Sequence, residues 1–162
     1  MNQRTFYYFA YGSNLKLSEI HRSCPTAERK CRAKLPAHAL VFPRKSIGRN
    51  CGVASVTARA GSDVWGGVYE ISELEREKLE SRESFKPDRP LPANAYVPSF
   101  MTVFVDGDPA QPIEATTFIA NPQPNPPLPS LDYKGLIIDG AREWNLHAKY
   151  LATLEQIQTS NP

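Results

Sequence analysis

An α+β domain built on a largely antiparallel or mixed sheet is the fold class this sequence predicts, on three observations. Runs rich in aromatic and β-branched residues recur along the chain, turn-forming triplets such as Ala60-Gly61-Ser62 and Asp106-Gly107-Asp108 part several of them, and helical patterns are scattered among them without regular βαβ alternation. Neither GxGxxG nor GxxxxGK[ST] occurs, so dinucleotide and P-loop chemistry have no support.

Residues 4–11, Arg-Thr-Phe-Tyr-Tyr-Phe-Ala-Tyr, end at Gly12-Ser13-Asn14, a turn former, and read as a buried strand followed by a tight loop. Leu15, Leu17 and Ile20, with Ser18 and Glu19 between them, predict a short helix that starts near Leu15 or Ser18 and stops before Pro25. Residues 32–42 read as a strand interrupted at Pro36, which puts it at an edge or a bulge. Residues 52–59 and 63–71, parted by Ala60-Gly61-Ser62, are expected to form a hairpin; Val64, Trp65, Val68, Tyr69 and Ile71 make its second strand the more secure. Ser72, with Glu75 three positions on, resembles a capping box and opens a helix that runs to about Ser84, before Pro87. Residues 94–105 and 113–119 form a second strand pair across Asp106-Gly107-Asp108. Five prolines among residues 122–129 make a stiff extended connector that cannot join a sheet ladder. Helical spacing follows over 131–142 and 147–158, broken at Trp144-Asn145-Leu146.

With 162 residues the chain fits one domain spanning 1–162, and 41% apolar with 22% charged residues allows a real core. No uncharged apolar stretch approaches the roughly 18 residues of a membrane span, and Met-Asn-Gln-Arg-Thr-Phe-Tyr-Tyr has no apolar signal core, so no membrane association and a cytoplasmic location are expected. Cys24, Cys31 and Cys51 are an odd set without CxxC spacing and read as free thiols; His21, His38 and His147 fall in no metal-ligand pattern, so neither metal nor cofactor is expected. Residues 1–50 carry ten Lys and Arg against two Asp and Glu, and residues 51–162 carry nine against fifteen. A basic half can be a nucleic-acid footprint, but these residues are scattered rather than clustered with aromatics, which favours pairing between the halves and no nucleic-acid partner.

Two features carry chemistry. Gly-Ser-Asn after a strand is most often only a turn, but successive backbone N–H groups beside a residue without a side chain also suit a carboxylate or a developing oxyanion. Ser13 as a nucleophile would need a base and an orienting group, and no GxSxG elbow is present. The second feature is acidic: Glu73, Glu75, Glu77, Glu80 and Glu83 crowd one helix, mostly as a solvated face. Glu83 follows Leu79 by four residues and lies near the helix C-terminus, where apolar surroundings and the dipole both raise a carboxyl pKa and suit it to proton transfer.

The chain resembles the γ-glutamylcyclotransferase (AIG2-like) family in four pieces in the same order: Tyr8-Phe9-Ala10-Tyr11-Gly12-Ser13-Asn14-Leu15; Val64-Trp65-Gly66-Gly67-Val68-Tyr69 leading to Leu79-Glu80-Ser81-Arg82-Glu83; Tyr133-Lys134-Gly135-Leu136-Ile137-Ile138-Asp139-Gly140-Ala141; and Asn145-Leu146-His147-Ala148-Lys149-Tyr150. The resemblance implies a small mixed or antiparallel β-barrel with flanking helices that acts without metal or cofactor, as a monomer or homodimer. It implies an enzyme that converts a small-molecule γ-glutamyl amide to 5-oxoproline and a free amine. It further implies Glu83 as catalytic acid/base, Tyr8, Phe9, Ala10, Tyr11, Gly12, Ser13 and Asn14 as the lining of the γ-glutamyl site, and Tyr133 as a hydroxyl donor to it. Two departures stand out: the residue after the glutamate is usually glycine in the family and is Ser84 here, and residues 85–92 are proline-rich, with Tyr96 a displaced counterpart of the usual aromatic. The alternative they leave open is a non-catalytic ligand-binding module on the same fold.

Overall fold

The aromatic run at the start forms strand β1, Thr5–Ala10, whose last three residues are buried. In the computed structural model, which describes residues 4–160, β1 pairs antiparallel with β3, from Thr5 opposite Ser72 to Ala10 opposite Gly67, and parallel with β5, Tyr8 opposite Thr116. With β2 (Glu28–Ser46), β3 (Cys51–Ser72), β4 (Tyr96–Val105) and β5 (Pro112–Ala120), the order β1-β3-β2-β4-β5 closes a mixed barrel. Closure removes the free sheet edges that would otherwise recruit other strands. Phe9, Leu35, Val64, Val68, Tyr69 and Val103 are among the residues that fill the core.

The expected hairpin about Gly61 is not there. Residues 52–59 and 63–71 belong to one long strand, β3, and the reversal lies at residues 47–50, between β2 and β3. Glu28–Pro36 of β2 faces Asp63–Glu70, and His38–Ser46 faces Cys51–Ala58, with a register shift between Pro36 and His38. Ala37, at φ 55, and Gly61, at φ +80, sit at this break on the two strands. A glycine with positive φ serves a bulge as readily as a turn, so the local signal was right and its use was different. Pro36 marks that bulge, as its missing N–H requires, rather than an edge.

Helix α1 is the four-residue Leu17–Ile20, preceded by a 3₁₀ turn at Ser13–Leu15. Helix α2, Glu73–Arg82, has the capping box read from its sequence: the Ser72 side chain accepts from the Glu75 N–H at 3.3 Å and the Ser72 N–H donates to the Glu75 carboxylate at 3.2 Å. Its other end is a Schellman motif. The Phe85 N–H donates to the Glu80 carbonyl at 2.9 Å and the Ser84 N–H to that of Ser81 at 3.0 Å, with Ser84 left-handed at φ 59. The proline-rich segment behind it is organised by Asn94, fully buried, whose Oδ1 accepts from the Lys86 N–H at 2.9 Å.

The stretch 122–129 forms no strand and lies along β3, where the Gly52 N–H donates to the Leu128 carbonyl at 3.0 Å. Helices α3, Leu131–Glu143, and α4, Ala148–Glu155, follow. Trp144, at the end of α3, donates from Nε1 to the Leu15 carbonyl at 2.8 Å and packs where a Cβ on Gly67 would stand, 2.2 Å from its ring. Ion pairs join the basic first fifty residues to the acidic remainder at Lys16–Asp139, Arg29–Glu143, Lys30–Glu70, Arg32–Asp106 and Lys34–Asp63. No helix among the described residues is long and apolar enough to cross a membrane.

Candidate active site

A cleft of about 370 Å³ opens beside the end of α2, and a smaller recess of about 40 Å³ continues it toward the barrel. Ser13, Glu83, Tyr96 and Tyr133 border both. The recess is otherwise lined by Tyr8, Tyr11, Gly12, Asn14, Ala54 and Phe118, and the outer cleft by the β2–β3 turn, Arg82 and Ser84.

Glu83 is the C-terminal cap of α2, so the Schellman motif fixes the direction in which its side chain leaves the helix. One carboxylate oxygen accepts from Asn14 Nδ2 at 3.4 Å, which joins the helix end to the first glycine turn. Burial raises its pKa above the ordinary glutamate value, against the opposing effects of Arg82, the Asn14 hydrogen bond and Arg49. Asn14 also donates to the Tyr8 hydroxyl at 3.1 Å, while its Oδ1 is buried without a partner among the described residues. Such an orphan acceptor carries a desolvation cost that an incoming N–H would relieve.

The peptide of Ala54, on β3, anchors two tyrosines. Its N–H donates to the Tyr133 hydroxyl at 3.0 Å, and the Tyr96 hydroxyl donates to its carbonyl at 2.6 Å. Because the Tyr133 oxygen accepts there, its own proton stays available to the cleft. Burial pushes the Tyr133 hydroxyl up to about 12 and keeps Tyr8, Tyr11 and Tyr96 protonated, so all four are neutral. Tyr11 spends its proton on the Phe118 carbonyl. The N–H groups of Gly12, Ser13 and Asn14 donate to no backbone carbonyl among the described residues. A Cβ on Gly12 would come within 3.2 Å of Ala54 Cβ and 3.5 Å of the Tyr133 hydroxyl oxygen, so the turn sits hard against the recess wall.

Of the residues named from the sequence and the resemblance, Tyr8, Tyr11, Gly12, Ser13, Asn14, Glu83 and Tyr133 border one recess. Phe9 and Ala10 do not border the space. Both are fully buried, and the Phe9 ring packs beside Gly66 and Tyr11. Strand alternation accounts for Phe9, which points to the opposite face of β1 from Tyr8; Ala10 shares Tyr8's face but offers only a methyl group. Sequence reasoning missed Ala54, which acts only through its backbone and leaves no side-chain signal, and Arg49, in a turn assigned elsewhere. No group of three or more His, Cys, Asp and Glu among the described residues is placed to hold a metal ion.

The family model described as AIG2-like matches residues 63–154. The chain is 29% identical to the human gamma-glutamylcyclotransferase over 165 residues, covering 99% of this chain and 82% of that protein. To the mouse gamma-glutamylcyclotransferase it is 30% identical over 158 residues, covering 95% and 79%. A solved gamma-glutamyl cyclotransferase structure superposes with a TM-score of 0.86 at 27% identity, over 98% of this chain and 91% of that one. A barrel of this topology, a family match across more than half the chain and relatives alignable along nearly all of it lead to one conclusion: the chain belongs to the AIG2-like family, together with the gamma-glutamylcyclotransferases.

Proposed function

We propose that this protein is a γ-glutamyl cyclotransferase that releases 5-oxoproline and a free amine from a γ-glutamyl amide or γ-glutamyl amino acid. The observation that carries the reading is the Glu83 carboxyl, its pKa raised by burial, reaching Asn14 of the glycine turn at the inner end of a cleft.

The substrate supplies its own nucleophile. Its α-nitrogen bonds to the carbon of its γ-carbonyl, that carbon's bond to the leaving nitrogen breaks, and, counted from the neutral amine, one proton passes from the first nitrogen to the second. At neutral pH the α-amine is an ammonium, so the protein must take one proton before attack, the ring nitrogen sheds a second as the bond closes, and both pass to the departing amine, which leaves as an ammonium. Glu83 fills both roles in turn, and a carboxyl with a raised pKa is the better base and still able to give the proton back. The buried Asn14 Oδ1 offers a further acceptor for the ammonium. The N–H groups of Gly12, Ser13 and Asn14 and the Tyr133 hydroxyl proton are the donors for the substrate carboxylate or the tetrahedral oxyanion. The walls hold a flexible γ-glutamyl chain bent for ring closure, which supplies effective molarity rather than new chemistry. The three thiols, none in a disulfide, fit a reducing compartment, and the cytoplasm is the proposed location.

The test is 5-oxoproline release from a panel of γ-glutamyl dipeptides, γ-glutamyl amines and glutathione. At least one should turn over, and Glu83→Gln should lose about 10²- to 10⁴-fold in kcat while remaining folded. A wild-type protein that binds panel members without releasing product would be the non-catalytic module; an equally active Glu83→Gln would overturn the mechanism.

A further inference from the structure

Four cationic side chains border the cleft, Arg44, Lys45, Arg49 and Arg82, and two of them act on the charge of Glu83: Arg82, its neighbour on α2, and Arg49, in the β2–β3 turn, while Arg44 donates to the Asn121 carbonyl at 3.1 Å. An arginine free to reach a carboxylate tends to form a bidentate pair with it, and such a pair would hold Glu83 ionised and blocked. Glu83 forms no ion pair with either among the described residues. Both are held instead by Glu19 of α1, whose side chain is only 13% exposed: its Oε2 accepts from Arg49 Nη2 at 2.7 Å and lies 3.4 Å from Arg82 Nη2. Arg82 Nη1 also donates to the Glu19 carbonyl at 2.6 Å and to Ser23 Oγ at 3.3 Å, and the Arg49 guanidinium lies 5.2 Å from the centre of the Tyr133 ring. Arg22 approaches Glu19 from the rim at 3.6 Å with its side chain mostly exposed.

We infer that Glu19 is a positioning residue for Glu83: by engaging both arginines it keeps the Glu83 carboxylate unpaired and open to the substrate ammonium. The inference builds on the reading of Glu83 as proton carrier. The groups that face Glu83 are Arg82 on its own helix, Arg49 from the turn, and the neutral hydroxyls of Tyr8, Tyr11, Tyr96 and Tyr133 from β1 and its end, β4 and α3. The two arginines and their shared counter-ion therefore set the charge around it. Glu19 itself is held ionised: burial opposes this, but Arg49, Arg22 and Arg82 together bring its pKa below the ordinary value.

Glu19→Gln removes the counter-ion at constant shape. Two readouts are followed: the pH profile of kcat/KM, and the titration of the Glu83 carboxyl in substrate-free protein by ¹³C NMR, assigned with Glu83→Gln. Two cations released toward Glu83 should move its titration and the acid limb of the profile to lower pH, and kcat/KM at neutral pH should fall at least about tenfold. Glu19→Asp, which keeps the charge, should stay nearer to wild type, and Glu19→Gln/Arg49→Gln should move the limb back. Arg49→Gln alone leaves Glu19 on Arg82 and should shift the Glu83 titration upward; it carries the test if Glu19→Gln does not fold. A loss equal at every pH, with the Glu83 titration unmoved, would mean that Glu19 only packs α1 and would overturn the inference. If wild type releases no 5-oxoproline, the functional reading fails, and the NMR titration still decides whether Glu19 governs the ionisation of Glu83.

Discussion

Glu83 keeps its carboxyl where water would serve the charge better. Its pKa in the folded protein stands above that of the unfolded chain, chiefly through burial, so the folded state prefers it protonated. The sign follows: the stabilising contribution is complete below the unfolded value, about 4.3, and is lost as pH rises through the folded value. As pH rises through the folded value the ionised side chain weakens the fold, so Glu83→Gln should melt no lower than wild type at pH 7, with the difference shrinking as the buffer approaches pH 4. A scanning-calorimetry series over pH 4–7 measures this, and a lower Tm for the variant at pH 7 would contradict it. Tyr133 behaves in the opposite sense. Its hydroxyl oxygen is the acceptor for the buried Ala54 N–H, and Tyr133→Phe leaves that donor unpaired, at about 1–3 kcal/mol in urea unfolding. The same variant removes a proposed oxyanion donor, so kcat should fall as well. Glu83 drew notice from its place near the end of an acidic helix, and Tyr133 only through the family resemblance. Ala54 was not legible: what it contributes is a peptide N–H and C=O, identical at every non-proline position.

At the scale of elements, the end of α2 does two jobs, terminating the helix and aiming Glu83. Both depend on Ser84 adopting φ 59, which glycine takes without penalty and a serine does not. This is the position where the resembled family usually carries glycine, so Ser84→Gly should raise stability by about 1 kcal/mol, read as a higher urea midpoint at unchanged slope. A lower midpoint would mean that the serine side chain makes up for the strain. The helix itself was well read from sequence, since Ser72 and Glu75 form a reciprocal pair that leaves little choice of boundary. The β2–β3 pair was misread because Gly61 at φ +80 serves a bulge with the chemistry of a turn, and only the register against Pro36 and His38 distinguishes them. That error hid the turn carrying Arg49, one wall of the cleft.

Over the whole molecule, the helices and the strands other than the long β2–β3 pair were legible in order, while closure was not derivable from periodicity alone and came from the family resemblance. Seating the helices on the barrel depends on a few close approaches that a sequence pattern does not encode. Gly67 is one: with its Cβ position 2.2 Å from the Trp144 ring, Gly67→Ala pushes the end of α3 off β3 and should cost more than about 2 kcal/mol, measured as a fall in Tm or loss of soluble expression. A near-native Tm would show that Trp144 yields easily. The register also has a temporal side. β1 must await β5, more than a hundred positions later, for its parallel partner, and Tyr133 arrives later still to meet Ala54. On a ribosome, therefore, a nascent chain that has already emerged through residue 83 still lacks the far wall, and its glutamate is an ordinary wetted carboxylate. Competence should switch on late and all at once in translation, so that an unfinished copy released early is inert rather than partly active.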